Sequence, residues 1–220
     1  MRLASAATPN LLVTNFESDT LARMLGWHLI FSTYGFWLPN DPRGSGSKRV
    51  RARHIYEAGG EATKVQTRRS VAHQPHDVKL RRVAKESLKY PAVELTGVQA
   101  RAAAHGIAAV CAKIGLVVHA CAMLPDHVHL VVGKHPFDGG ELIACLKRAA
   151  TRGMNAEGLH PMREFARADE RLPSPWAAGG WNVILFTPEQ MRAAVRYVEE
   201  NPVGAGLKPQ LWSFVAPYEG

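Results

Sequence analysis

No run in this 220-residue chain approaches the roughly 20 consecutive apolar residues that a bilayer-spanning helix needs. A helical membrane protein is therefore not expected. The opening MRLASAATPNLLVTNF has one early arginine, but Thr8, Pro9 and Asn10 break its apolar stretch. That argues against a secretory signal and makes the cytoplasm the expected compartment. Cysteine is scarce: Cys111, Cys121 and Cys145 stand far apart with no Cys-x-x-Cys pair. An odd, scattered set excludes a disulfide framework and fits reduced thiols. Internal repeats are absent. Acidic residues are the minority, 19 against 27 Lys and Arg, and their deficit is local.

Between Arg43 and Lys89 there are 13 Lys/Arg and 4 Asp/Glu, an excess of nine that leaves the rest of the chain at −1 of its total +8. All the surplus positive charge sits in one segment, the distribution expected of a polyanion-binding surface. Hydrophobic content of 46% with 21% charged residues is that of an ordinary globular chain, long enough for one core. We read residues 1–22 as a poorly structured leader and 23–220 as a single domain, with a basic insertion over about 34–95.

GWHLIFSTYGF (Gly26–Phe36) is β-branched and aromatic and predicts a strand, ended by the turn formers of LPNDPRGSGS. From Lys48 to Tyr90 no period is sustained, apart from a short basic helix in HDVKLRRVAKESLKY. Thr96 and Gln99 form a capping-box signature before an alanine-rich helix. LVVHACAM and HVHLVVG, joined by LPD, predict a hairpin. Asp138 caps a helix in DGGELIACLKRAATRGM. WNVILF predicts a strand. In TPEQMRAAVRYVEENP, Thr187 is the cap, Pro188 the first helical residue and Gln190 the partner closing a capping box, with Asn201-Pro202 ending the helix. The βαββαβ order predicts a ferredoxin-like α+β sandwich, an antiparallel sheet with helices on one face.

Within PDHVHLVV (Pro125–Val132), strand alternation puts His127, His129 and Val131 on one side and Val128, Leu130 and Val132 on the other. Two imidazoles on one face lie about 6–7 Å apart along the strand, a span that one metal ion bridges. A buried imidazole without a partner costs free energy, so the pair needs a purpose or a partner. In the last helix Met191, Ala194, Val195 and Val198 form the core stripe, while Arg192, Arg196 and Glu200 face water. Tyr197 and Asn201 lie one turn apart on its flank. Tyr197 is equally readable as an amphipathic cover for the core, and Asn201 as a C-cap.

Together, an apolar strand bearing LPDHVHLVV, a capped helix with YVEENPVGAG some 70 residues later, and the trailing LWSF resemble the single-tyrosine HUH transposases. They look most like the REP-associated tyrosine transposases, relatives of the IS200/IS605 group. The resemblance covers Gly26–Ser32 and Val98 to about Phe214. It implies an HUH endonuclease fold, single-stranded DNA substrates that often contain hairpins, and cleavage by a tyrosine with a divalent metal, Mg²⁺ or Mn²⁺. His127 and His129 match the metal ligands and Tyr197 the nucleophile. Asn201 matches the third ligand, which in many members is glutamine. The chain departs from the compact pattern by its long insertion. There Arg43, Lys48, Arg49, Arg51, Arg53, Arg68, Arg69, Arg81 and Arg82 can pair with phosphates, and Tyr34 and Trp37 can stack on unpaired bases, as can Phe36. A monomer or homodimer is expected.

Two other readings stay open on the sequence. Slipping the hairpin register by one residue sets His119 and Cys121 across from the histidine pair, a zinc-hydrolase arrangement. A non-cleaving nucleic-acid-binding regulator needs the basic segment alone. His28, His54, His73, His76, His105, His135 and His160 carry no pairing that asks for more than a surface or structural role.

Overall fold

Among the described residues, four strands follow from the alternating and β-branched stretches: β1 (Gly26–Ser32), β2 (Val118–Met123), β3 (His127–Gly133) and β4 (Trp181–Leu185). The computed structural model describes residues 23–36, 38, 41, 50, 52–61 and 75–220. The leader, Trp37, Arg43, Lys48, Arg49, Arg51, Arg68 and Arg69 lie outside the described residues. The helices are α1 (Arg53–Gly59), α2 (Val78–Glu86), α3 (Gly97–Ile114), α4 (Gly139–Ala156) and α5 (Pro188–Gly204).

The sheet runs β2-β3-β1-β4 with every neighbouring pair antiparallel. With α3 and α4 as the two crossovers, this is the ferredoxin-like sandwich that the βαββαβ order predicts. One face of the sheet carries Trp27, Leu29, Phe31, Val128, Leu130 and Val132 into the main core against α3 and α4. Helix α5 follows the βαββαβ unit and packs across the other face, where Met191, Ala194 and Val198 meet Ala120, Ala122, Val131 and Leu185. Met191 and Val198 are fully buried, which contributes about 1.5–3 kcal/mol each to holding α5 in place. The same face carries the two histidines of β3.

Local signals account for most helix starts. Thr96 and Gln99 form both halves of the predicted capping box, and Asp138 does the same with Glu141. Thr187 accepts from the Gln190 N–H. The side chain of Gln190, however, turns outward to accept from the Phe186 N–H at 2.8 Å rather than closing back on Thr187. The predicted stop at Asn201-Pro202 is also overturned, since the helix continues through Pro202 to Gly204. Proline here removes one N–H near a helix end, and the Ala205 N–H caps the carbonyls of Asn201 and Pro202 at 3.0 and 3.2 Å. Asn201 is thus a helical residue rather than the C-cap. Helix α1 has no counterpart among the sequence expectations. Helix α2 is the expected basic helix, started by the Asp77 carboxylate on the Leu80 N–H.

Helices α3 and α4 approach almost backbone to backbone. A Cβ on Gly106 would stand 2.1 Å from the Ala149 carbonyl oxygen, and one on Gly153 would stand 2.2 Å from that of Ala102. The buried alanines Ala102, Ala103, Ala149 and Ala150 keep this approach open along its length. Propensity alone favours alanine over glycine in a helix by about 1 kcal/mol. The overlap reverses the sign: Gly153→Ala should lower stability by about 1–3 kcal/mol, read as a fall in the melting temperature. An unchanged or raised melting point would mean that the helices stand further apart.

The trailing segment closes an edge. Strand β2 has a free side, and the Gln210 side chain pairs there with both the N–H and the carbonyl of Met123, each at 2.8 Å. Trp212 donates its indole N–H to the Cys121 carbonyl at 3.1 Å, and the Ala216 N–H bonds the Val118 carbonyl at 2.8 Å. An exposed edge would otherwise offer unpaired backbone groups to another strand. Among the described residues, no helix is long and apolar enough to cross a membrane.

Candidate active site

The turn at Pro125-Asp126 delivers the chain into β3 with His127 at its first position. The Asp126 carboxylate accepts from His127 Nδ1 at 2.7 Å. The Phe36 ring stacks on His127, with centroids 5.5 Å apart and planes 7° from parallel. Two residues on, His129 shares the same face, its ring centroid 4.8 Å from that of His127. Only 4% of His129 is exposed.

Register decides what stands beside the pair. Ala122 of β2 and Ile30 of β1 are the direct partners of His129. Cys121 pairs with Leu130 and joins the core on the opposite face, so the slipped register that would assemble His119, Cys121, His127 and His129 does not occur. Burial pushes the Cys121 thiol far up, with the neighbouring Cys111 adding to the shift, so it stays protonated. His119 hydrogen-bonds the Ala216 carbonyl at 3.2 Å instead. The zinc-hydrolase arrangement is therefore corrected: alternation puts Cys121 and the histidines on different faces.

Small residues at Ala120 and Ala122 let α5 settle close to the sheet, and its flank brings Tyr197 over the histidines. The Tyr197 ring lies edge-on to His129, with centroids 5.6 Å apart at 78°, and edge-on to His28 at 5.8 Å and 66°. Tyr197 is 48% exposed, so its phenol is open to a bound molecule. Asn201 follows one turn later on the same helix. The structure thus brings together His127, His129 and Tyr197, three residues singled out from widely separated motifs.

It also adds one that sequence reasoning set aside. His28, on β1, puts its Nε2 3.0 Å from Nδ1 of His129, with ring centroids 5.2 Å apart. No local signal marks His28; its only cue is that it alternates onto the same face of a strand that pairs with β3. Burial lowers the His28 pKa to about 4. His129 is also driven well below the ordinary imidazole value, by burial first and then by the charges of His127 and His28. Both rings are therefore neutral near pH 7, the form in which imidazole binds metals.

This donor set fits a divalent metal of the open, catalytic kind. Asp126 holds Nδ1–H of His127, so the neutral ring has its lone pair on Nε2, the carboxylate–histidine arrangement common behind metal ligands. Among the described residues no three His, Cys, Asp or Glu side chains gather to hold a metal by themselves. An ion here would take two imidazoles, an amide oxygen at most, and oxygens of substrate or solvent. Imidazole suits Mn²⁺ better than Mg²⁺, while the oxygen positions suit either.

Of the expected DNA contacts, five are described: Tyr34, Phe36, Arg53, Arg81 and Arg82. Tyr34 is packed edge-on to Tyr90, with centroids 6.1 Å apart, at the margin of the main core. With Phe36, Arg81, Arg82 and Asp126 it lines a cleft of about 440 Å³ between α2 and the loop after β1. The cleft reaches the residue that holds His127. Arg81 lies 3.9 Å from the buried Asp41, and Arg82 lies 3.7 Å from Glu86. Arg53 pairs with Glu57 at 2.7 Å on the exposed side of α1. The Arg53–Glu57 and Arg82–Glu86 pairs are solvent-exposed, and pairs of this kind are worth under about 1 kcal/mol.

No protein-family model matches this sequence, and no curated protein does. Among solved structures, the chain is similar to a REP-associated tyrosine transposase bound to a REP hairpin, at 15% identity and a TM-score of 0.43 over 86% of this chain and 74% of that one. It is also similar to a protein of Deinococcus radiodurans R1 assigned as a transposase, at 16% identity and a TM-score of 0.34 over 90% of this chain and 97% of that one.

Proposed function

We propose that this protein is a transposase-like enzyme that cuts and rejoins single-stranded DNA through Tyr197. The observation that carries the reading is the half-exposed Tyr197, whose ring stands edge-on to His129, the neighbour of His127, on the sheet face that α5 crosses. A tyrosine hydroxyl with its ordinary pKa near 10 is a weak nucleophile and needs an activated phosphate. His127 and His129, with Asn201 as the third donor, are the residues that would hold Mg²⁺ or Mn²⁺. Such an ion supplies polarisation of the scissile phosphate and neutralises charge on the leaving oxygen.

The Tyr197 oxygen gives up its proton and bonds to phosphorus as the bond from phosphorus to the 3′-oxygen breaks, and that oxygen takes up a proton. The products are a 5′-phosphotyrosine and a free 3′-hydroxyl. The protein–DNA link is itself a phosphodiester, so attack by another 3′-hydroxyl rejoins the strand without an external energy source. The basic α2 and the aromatic cleft lead from the insertion to Asp126 and give a strand a path to the site. Hairpin-containing single strands are the substrates implied by the family resemblance that the HVH and YVEENP motifs carry.

The direct test incubates the protein with single-stranded hairpin DNA from around its own coding sequence and Mn²⁺, then maps any peptide–nucleotide linkage by mass spectrometry. A linkage at Tyr197 is the expected result. Salt-sensitive binding without any covalent product would assign the protein to non-cleaving regulators instead. Binding itself should weaken on the order of 10²-fold between 50 and 200 mM salt if about six phosphates are neutralised. A flat response in a binding titration would remove the basic insertion from the interface.

A further inference from the structure

Each histidine of the HVH run has one ring nitrogen already engaged. His127 Nδ1 faces the Asp126 carboxylate, which only accepts, so in the neutral ring the proton is on Nδ1 and the lone pair on Nε2. His129 Nδ1 faces Nε2 of His28 at 3.0 Å, 101 residues away in the chain. The β1–β3 register makes this contact: Ile30 is the direct partner of His129 and Val131 that of His28, which leaves the two histidines diagonal on one face.

Between two neutral imidazoles one donates and the other accepts, which leaves two arrangements. With His28 as donor, His129 keeps its own proton on Nε2 and offers no lone pair there. With His129 as donor, its Nδ1–H is held and Nε2 carries a lone pair, matching His127. We propose that His28 is a positioning residue that accepts the Nδ1–H of His129 and so fixes the tautomer in which both β3 histidines present Nε2 to a divalent cation. This rests on the reading of His127 and His129 as metal ligands. The two ligands then have different supports, a carboxylate behind His127 and an imidazole behind His129. Partners of this kind typically change metal affinity 10–100-fold when removed.

The role needs only an acceptor where His28 Nε2 stands, which separates it from mere filling of space. Mn²⁺ alone, titrated into the full chain by calorimetry, should bind His28→Phe about 10- to 100-fold more weakly than wild type. His28→Gln places an amide oxygen near the same position and should recover most of that loss. Circular dichroism and melting curves of each variant report folding. If His28→Phe binds Mn²⁺ like wild type, or if His28→Gln is no better than His28→Phe, the proposal is overturned.

Should either variant fail to fold, the wild type still decides. Nitrogen-15 spectra of its histidine rings with Mg²⁺ should show Nδ1–H on both His127 and His129, and a proton on Nε2 of His129 would overturn the tautomer. Loss of affinity beyond about 10³-fold in His28→Phe, with three nitrogens on bound Mn²⁺ by pulsed electron paramagnetic resonance, would instead make His28 a ligand. A wild type that binds neither ion overturns the metal reading itself, a result distinct from failure of the His28 variants.

Discussion

Replacing Tyr197 by phenylalanine should eliminate the covalent protein–DNA product while leaving DNA affinity and stability close to wild type. The change removes one oxygen and keeps the ring that stands edge-on to His28 and His129. Because the residue is half exposed and lies outside the α5 core stripe, stability should shift by no more than about 0.5 kcal/mol. Loss of product is then loss of the nucleophile and not of the fold. Denaturing gels of the variant with labelled single-stranded hairpin DNA and Mn²⁺ give the readout. An adduct that persists in Tyr197→Phe would place the chemistry on another side chain and end the present assignment.

The second large effect concerns the paired imidazoles. His127→Ala and His129→Ala should each lower metal-dependent cleavage by about 10³-fold, since several kcal/mol of charge stabilisation at the phosphate is lost. The two variants should part in stability. His127 is partly exposed at the start of β3 and stacks on Phe36, so its truncation is mild. His129 is buried, and its removal leaves a void and strands the His28 nitrogen that it pairs with. That costs about 1–3 kcal/mol for the unpaired polar group alone. Equal melting temperatures for the two variants would contradict the buried pairing, and wild-type cleavage in either would contradict the metal role.

Both effects depend on how three distant stretches meet, and the sequence announces them unequally. The histidine pair is visible because strand alternation is a two-residue period that any apolar stretch displays. Tyr197 is visible as a flank residue because the α5 stripe of Met191, Ala194 and Val198 fixes the helix face. His28 is not, because its role comes from pairing across β1 and β3. The same holds for the glycines at the α3–α4 crossing, and for Gln210 and Trp212, whose partners on β2 are some 90 residues away.

What the amino-acid sequence determined by itself is therefore local: the capping boxes at Thr96 and Asp138, the faces of β3 and α5, the hairpin, and the βαββαβ order that selects a ferredoxin-like sheet. Those features are set by backbone hydrogen bonding and side-chain periodicity within a few residues. Only the tertiary structure decided that α5 crosses the face carrying the histidines, that Cys121 turns away from them, that Pro202 stays helical, and that His28 reaches His129. Each of these depends on strand register or on which sheet face a helix covers. A one-residue slip would reverse every side chain on a strand, so they are settled by long-range packing.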